Sequence, residues 1–600
     1  MSLLASVKFH TIKTMSSDDP VVDLLRAYPR LAAIVEQLNE FLIKNHPHIF
    51  GSAATHPILR AKRSKVIHDN LWGTVRFTWR ELALVDSPII QRLRDIHQTG
   101  LAFHVYPSAR HTRFEHSLGA VTIASRIFDA VLHRQRNEIR DMVKALWKIE
   151  PDFSILRLKQ ELRLAALLHD TGHSLYSHTS ELVYETLVPL AEASKELSRF
   201  VGKQKGAGEV LSFCFALTPA ISQLLERTKD KNLIGDRASD DYDGPIDLIN
   251  VALIIVGRSV HPFLQFLGDI VSSAFDADKL DYLLRDAQNA GLPLRYDLDR
   301  YLYDVRIDRE VLIDDEGELG KLYEMLPTPA IERKPATSQT RYPYFDTYRL
   351  RLSRRAMNVI EQIIICKMML FSYIYHHPKV RASDGLLERL LRRRVAKWRA
   401  DGETDEIVLG RFLKMTDAAL QFEESGHDEI TRDYQYRLQN RLLPREIYSI
   451  SGPSATHAEG LLIQDFLIDL HDRERRQKLI DDLEQCIGRE LLKIDSSLGS
   501  SAAEAIARAG VWVDAPKPPK FEDVDEMIMG ARSTAAGVPL AQLFPIREWT
   551  HAYEHYRYQV RIFAFSRYFD DAAAAAKAAM QQILGISSDQ FYNNIRRARR

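Results

Sequence analysis

Apolar positions recur at helical spacing along most of this chain, and only a few short segments alternate with period two. Val22, Leu24, Leu25, Leu31 and Ile34 mark one face of a helix that runs to Lys44. It opens on Ser16-Ser17-Asp18-Asp19, with Pro20 in its first turn. Residues 1 to about 18 read as a loose tail. Residues 66–78 read as two short strands around a turn containing Asn70 and Gly73. From Asp86-Ser87-Pro88 the pattern turns strongly helical, with Ile89, Ile90, Leu93 and Ile96 on one face. Residues 114–134 form an amphipathic helix through Leu118, Val121, Ile123, Ile127 and Val131, and the apolar run 162–170 follows. Helices over 243–256 and 263–291 complete a helical domain. Residues 305–307 and 310–313 read as strands before a turn at 314–317, and helices resume over 348–375 and near Leu386. Beyond about 440, helix and strand alternate. A strand over 511–514 is ended by Ala515-Pro516-Lys517-Pro518-Pro519, and the alanine run near Ala572 reads as helix. No βαβ repeat and no glycine-rich phosphate loop is visible, which argues against a Rossmann or P-loop fold. The expected class is mainly α: a helical bundle with small β-hairpins and a mixed α+β C-terminal lobe. The expected units are a helical extension at 1–63, a main domain at 64–375 and a mostly helical lobe at 376–600.

Six hundred residues exceed what one hydrophobic core usually fills, which supports several units. Lys plus Arg and Asp plus Glu are equal at 81 each, so no overall charge draws a nucleic acid, and any anion site must be local. The Arg-rich runs Arg392-Arg393-Arg394 and Arg596-Arg597-Ala598-Arg599-Arg600 read as solvated helix faces. Cys214, Cys366 and Cys486 lie far apart, which argues against a disulfide scaffold and for a reducing compartment. No apolar run reads as long enough to span a bilayer, and the N-terminus lacks a basic, then apolar, leader. The expectation is a cytoplasmic protein.

The chemistry concentrates in three stretches. The apolar run Leu164-Ala165-Ala166-Leu167-Leu168 ends on His169-Asp170, with His173, His178 and Glu181 just beyond. Arg110-His111-Thr112-Arg113-Phe114-Glu115-His116 opens the 114–134 helix. The third, Asp276 to Asp286, places Asp278, Tyr282 and Asp286 four residues apart along one helix face. Buried carboxylates in such company need a counter-charge. A divalent metal between His116, His169, Asp170 and Asp278 supplies one. Imidazole suits Zn, Fe and Ni, and carboxylate suits Mg and Mn, so the donor set leaves the metal's identity open. The charge of Arg113 and Lys279, close to these ligands, suits phosphate oxygens.

In this order, His…His-Asp…Asp, the chain resembles the HD superfamily of metal-dependent phosphohydrolases. Within it, residues 64 to about 375 are similar to the deoxynucleoside triphosphate triphosphohydrolases. Val66-Ile67-His68-Asp69, the segment from Asp86 to Arg94, Gln98, Tyr106-Pro107 and the Arg113–His116 element carry that likeness. The resemblance implies an HD-domain bundle with His116, His169, Asp170 and Asp278 as metal ligands. It implies catalytic roles for His173, His178 and Glu181, with His173 the specific candidate for general acid. Arg113 and Lys279 then hold phosphate, while Tyr282, Asp286 and Gln98 hold the sugar. Asp86, Gln91 and Arg94 match a segment that binds an activating guanine nucleotide at a subunit interface, so a homo-oligomer is implied too. The implied reaction is hydrolysis of a (deoxy)nucleoside triphosphate to nucleoside and tripolyphosphate. The chain departs from the family in three places. No His lies between Thr179 and Val260, where a further catalytic His is expected, and Lys205 or Glu209 is nearest that place. Met357 stands where the family's Tyr crowds the ribose 2′-hydroxyl, and Ser353 where a His is expected. These departures motivate two alternatives: a phosphodiesterase or nuclease acting on oligonucleotides or modified nucleotides, and a catalytically weakened nucleotide sensor.

Overall fold

A computed structural model describes residues 20–51, 54, 56, 65–147, 149–228, 242, 244–326, 331–338, 340–421, 428–460, 473–516, 528–529 and 538–599. The N-terminal tail with its Ser16–Asp19 cap, Asp243, Lys517-Pro518-Pro519 and Arg600 lie outside these residues. The chain is mainly helical, as its periodicity predicts, and its strands form small separate sheets.

Pro29 divides the first helical pattern, so Pro20–Ala27 is followed by a second helix, α1 (Pro29–Asn45). Strands β1 (Lys65–Asp69) and β2 (Gly73–Phe77) form the expected antiparallel hairpin. The Ser87-Pro88 start yields only one α-turn, Pro88–Gln91, continued as a 3-10 turn to Asp95. Helices α2 (Arg113–Arg134) and α3 (Pro151–Leu168) then pack against each other. Thr112 and Glu115 cap α2 reciprocally, which fixes Arg113 and His116 in its first turn. The short helix α4 (His178–Tyr184) follows the His169-Asp170 turn.

Three further expectations are corrected here. The helix predicted over 263–291 is interrupted at 272–276. Asp276 accepts hydrogen bonds from the backbone N–H groups of Ser273 and Lys279, both at 2.8 Å, and so caps a fresh helix, α5 (Ala277–Ala290). The predicted strands at 305–307 and 310–313 are one strand, β3 (Val305–Ile313). It pairs along its whole length with β4 (Tyr344–Leu352), which covers the start of the helix predicted over 348–375. Tyr348 and Leu352 satisfy a helical spacing, but Phe345, Thr347 and Tyr348 also fit a ladder, and the partner strand decides between them.

The helical run resumes as α6 (Met357–Leu370) and closes with a π-type turn, Phe371–Tyr375. Contrary to the sequence reading, the continuous run Arg354–Tyr375 is long and apolar enough to cross a membrane by length and composition. Ile360, Ile363, Ile364, Leu370 and Ile374 nevertheless bury its inner side in the domain core. Helices α7 (Pro378–Ala400), α8 (Asp405–Lys414) and α9 (Glu429–Gln439) share that same core. A second core, from Ile447 to Phe591, is built on the sheet β5 (Arg445–Ser451), β6 (Trp512–Asp514) and β7 (Gln559–Ala564), in order β5-β7-β6. The alanine run lies in the helix Phe569–Leu584.

Candidate metal-dependent active site

Helices α2, α3 and α5 bring His116, His169, Asp170 and Asp278 to one point. His116 is fully buried; its Nε2 lies 3.0 Å from Asp278 Oδ1 and 3.5 Å from Asp170 Oδ2. His169 Nε2 lies 3.5 Å from Asp170 Oδ1 and 3.7 Å from Asp278 Oδ1. Neither Nε2 atom makes a hydrogen bond, although both are buried. The opposite nitrogens are engaged: His116 Nδ1 bonds Asp281 Oδ2 at 2.8 Å, and His169 Nδ1 bonds the Ala166 carbonyl at 2.7 Å. An imidazole whose Nδ1–H is spent on an acceptor presents a lone pair at Nε2, the form that binds a metal. Ligand atoms around a cation with bonds of ~2.1 Å stand roughly 3.0–3.5 Å apart. His116, His169 and Asp170 therefore fit a divalent metal, with Asp278 Oδ1 within 3.7 Å of both imidazole nitrogens, and the mixed nitrogen and oxygen donors leave its identity undetermined.

The surrounding charge is negative enough to draw a cation into the cluster, a proton where no metal is bound. Burial works against charge on His116, but the Asp278 and Asp281 carboxylates push its imidazole up to about 10. Burial likewise opposes charge on Asp170, yet Arg113 and three surrounding imidazoles hold that carboxyl well below its usual range. The site is thus a concentration of ionised carboxylate around two imidazoles.

Beside it, Arg113, 2% exposed, donates Nη1 to Asp170 Oδ2 and Nε to Ser177 Oγ at 2.9 Å, with Nη2 3.4 Å from His178 Nε2. His178 Nδ1 bonds Glu181 Oε2 at 2.9 Å, and the buried ring of His173 faces that of His178. Burial and the neighbouring Arg113 push His173 down to about 3. His173, the general-acid candidate from sequence, stands between Asp170, 3.5 Å from its Nε2, and the His178–Glu181 pair. Against the effect of burial, the hydrogen bonds from His178 and the Gly208 N–H help pull the Glu181 carboxyl down to about 2. Lys205 and Glu209 pair with each other at 2.8 Å. It is the backbone of their turn that meets the site: Gly208 N–H donates to Glu181 Oε1 at 2.7 Å, and a Cβ on Gly208 would lie 2.8 Å from the His173 ring.

The remaining candidates divide. Tyr282 and Asp286 lie on the Asp278 face of α5, as the spacing requires. Asp286 is held by His111 Nε2 at 2.7 Å and by the Tyr375 hydroxyl from the π-type turn. Gln98 stands beside His111, its N–H on the His111 carbonyl at 3.0 Å and its buried Oε1 without a hydrogen-bond partner. Lys279 is turned onto Asp276 at 2.6 Å and the Ser273 carbonyl at 2.8 Å. Ser353 bonds Asp304 at 2.7 Å, and Met357 begins α6. Asp86, Gln91 and Arg94 form a separate outer cluster. Lys65 pairs with Asp86 at 3.2 Å, Arg94 Nε donates to Gln91 Oε1 at 2.8 Å, and the Arg94 guanidinium sits 3.6 Å over the Phe114 ring.

The α4 helix is also tied to α7, where Asp384 accepts from Thr179 Oγ1 at 3.2 Å. Burial pushes the Asp384 carboxyl up to about 6, only partly countered by Arg381. A carboxyl raised in the folded state contributes stability below the unfolded pKa, near 4, and loses it as pH rises through about 6. Asp384→Asn is therefore expected to stabilise the protein at pH 7.5 by up to roughly 3 kcal/mol. The gain should vanish near pH 4, read as denaturant midpoints at the two pH values.

The helical domain presents the imidazole and carboxylate cluster expected of the HD superfamily. The chain is similar to deoxynucleoside triphosphate triphosphohydrolases of that superfamily. Deoxynucleoside triphosphate triphosphohydrolase SAMHD1 of Bos taurus is 28% identical over 281 residues, 44% of this chain and 43% of that protein. The Homo sapiens protein of the same name is 28% identical over 273 residues, 44% and 40% of the two chains. An uncharacterised protein of Methanocaldococcus jannaschii is 26% identical over 360 residues, 59% of this chain and 56% of that one. The chain thus spans about half the length of the curated relatives it matches. A solved structure of a hypothetical Aquifex aeolicus protein shares the fold, with a TM-score of 0.52 and 19% identity over 86% of this chain and 100% of that one. No protein-family model matches.

Proposed function

We propose that this protein hydrolyses (deoxy)nucleoside triphosphates to nucleoside and tripolyphosphate, with a divalent metal held by His116, His169, Asp170 and Asp278. The observation that carries the reading is the union of two orphaned Nε2 atoms with a carboxylate and phenol face, Tyr282 and Asp286, that a simple phosphatase would not need. Such a metal, when bound, polarises a phosphate oxygen and acidifies a water. Arg113, already rigid on Asp170 and Ser177, neutralises charge developing on the α-phosphate. Lys279 turns from Asp276 to a second phosphate. The His178–Glu181 pair delivers the proton to the leaving 5′-oxygen: His178 is exposed, and Glu181 orients its ring through Nδ1. His173 remains neutral and packs the pair in place. Asp286 and Gln98 accept from sugar hydroxyls. The outer cluster of Asp86, Gln91 and Arg94 binds a guanine nucleotide activator between subunits of a homo-oligomer.

The test is a panel of the eight common nucleoside triphosphates with Mg²⁺ or Mn²⁺, with and without added guanine nucleotide, plus a labelled single-stranded oligonucleotide. Nucleoside and tripolyphosphate are the expected products. Monophosphate with pyrophosphate would overturn attack at the α-phosphorus, and cleavage of the oligonucleotide alone would favour a nuclease.

A further inference from the structure

The turn carrying His173 and His178 is fastened by a segment far along the chain, at the end of α8. Ser174 Oγ donates to the Phe412 carbonyl at 2.6 Å, and Arg92 Nη1 reaches the Met415 carbonyl at 3.4 Å. The centre of this strap is Asp417, 241 residues from Tyr176 and only 6% exposed. Its Oδ1 accepts the Tyr176 N–H at 2.6 Å. Its Oδ2 accepts the His97 N–H at 2.8 Å and also meets His97 Nδ1. The His97 ring stacks on the Tyr176 ring at 6.2 Å, and the His97 carbonyl accepts Ser177 Oγ at 2.5 Å. That same Ser177 Oγ receives Arg113 Nε.

What Asp417 holds is an unfavourable backbone. Tyr176 and Ser177 are consecutive non-glycine residues with φ of 50° and 57°, immediately before His178. Side chains with a Cβ avoid this region, and such strain persists only where surrounding bonds over-determine it. Released, the two residues would return to negative φ and rotate the first turn of α4, which carries His178 and Glu181. The metal-type residues are held by other bonds, His116 by Asp281 and His169 by the Ala166 carbonyl.

We propose that Asp417 is a positioning residue that keeps Tyr176 and Ser177 at positive φ, so that His178 and Glu181 face Arg113 and the metal cluster. The proposal rests on the hydrolase reading above for its kinetic readout but not for its structural one.

The experiment uses full-length Asp417→Ala and Asp417→Asn proteins. It reads triphosphate hydrolysis with Mn²⁺, bound-metal content and amide hydrogen exchange across residues 170–182. In Asp417→Ala, kcat should fall about 100-fold with KM changed by less than about threefold, since a small misplacement of a reacting group costs turnover before binding. Metal content should equal that of the wild type, and exchange should quicken across 174–182 but not in α3. Asp417→Asn keeps one acceptor for the Tyr176 N–H and should retain at least about a tenth of wild-type kcat. If the alanine variant does not fold, the asparagine variant carries the test, with quickened exchange and reduced kcat at full metal content as the supporting result. Unchanged exchange in a folded variant overturns the proposal, as does loss of metal in step with loss of turnover. If the wild type itself cleaves no triphosphate, the hydrolase reading falls, and exchange at residues 174–182 alone decides the role of Asp417.

Discussion

Asp170→Asn should leave the protein without bound metal and lower kcat/KM by on the order of 10³ or more. Removing an outer partner of a metal ligand costs ~10–100-fold, and Asp170 sits inside that ring. Its two oxygens serve His116, His169 and His173 at 3.5 Å each, and Arg113 as well. An amide keeps the shape but removes the negative charge that draws a cation, and its N–H can occupy the imidazole lone pairs that would otherwise hold the metal. The fold suffers as well. Arg113, 2% exposed, loses the carboxylate that balances it, and an unpaired buried charge costs ~3–5 kcal/mol. Thermal unfolding with and without Mn²⁺ separates the two effects. Wild-type Tm should rise with the ion by linkage, whereas the variant should start lower and not respond. A variant that still binds one equivalent of metal would remove Asp170 from the ligand set and with it the proposed chemistry.

Much of this site was legible because its chemistry is local. His169-Asp170 closes an apolar run, and Asp278, Tyr282 and Asp286 share a face by spacing alone, so their convergence needed only the helices to form. The contacts around Asp286 were less accessible. Tyr375 reaches Asp286 from a π-type turn, and no pattern in a helical sequence announces that extra residue per turn. Asp417 and His97 act across hundreds of residues through backbone N–H groups, which no side-chain motif records. His173 looks from sequence like an open titrating imidazole; its burial beside Arg113 is set by the tertiary fold. The second half of β4, residues 348–352, reads as helix from sequence because its apolar residues fit both periods, and the deciding partner, β3, lies about forty residues away in the chain. Asp281 did leave a signal. It and Arg285 form an i, i+4 charge pair on the side of α5 shared with Leu280 and Leu284, where a solvated pair has no place.

That pair makes Gly119→Ala the second large effect. Gly119 lies on α2 one turn beyond His116, directly against Asp281 and Arg285; a methyl there would overlap Asp281 Oδ1 and Arg285 Nη2. The far ends of side chains usually yield, but these are pinned. Asp281 accepts Arg285 Nε at 2.7 Å and Nη2 at 2.9 Å, together with Trp72 Nε1 from the β1–β2 turn. Arg285 in turn holds Asp69 at 3.0 Å, and neither Asp281 nor Arg285 is exposed. Moving Asp281 therefore breaks a buried ion pair, for a loss of roughly 3 kcal/mol or more. It also releases His116 Nδ1, which lowers metal affinity by ~10–100-fold, because the orienting carboxylate fixes the ring and raises its basicity. Gly410→Ala is the matched control: its added Cβ meets nothing within 4 Å, inside α8. There the same substitution should stabilise slightly, by ~0.5–1 kcal/mol. Denaturant unfolding and metal titration of both variants check the contrast. A Gly119→Ala protein with the stability and metal affinity of the wild type would show that Asp281 does not orient His116, and that the metal cluster is held without it.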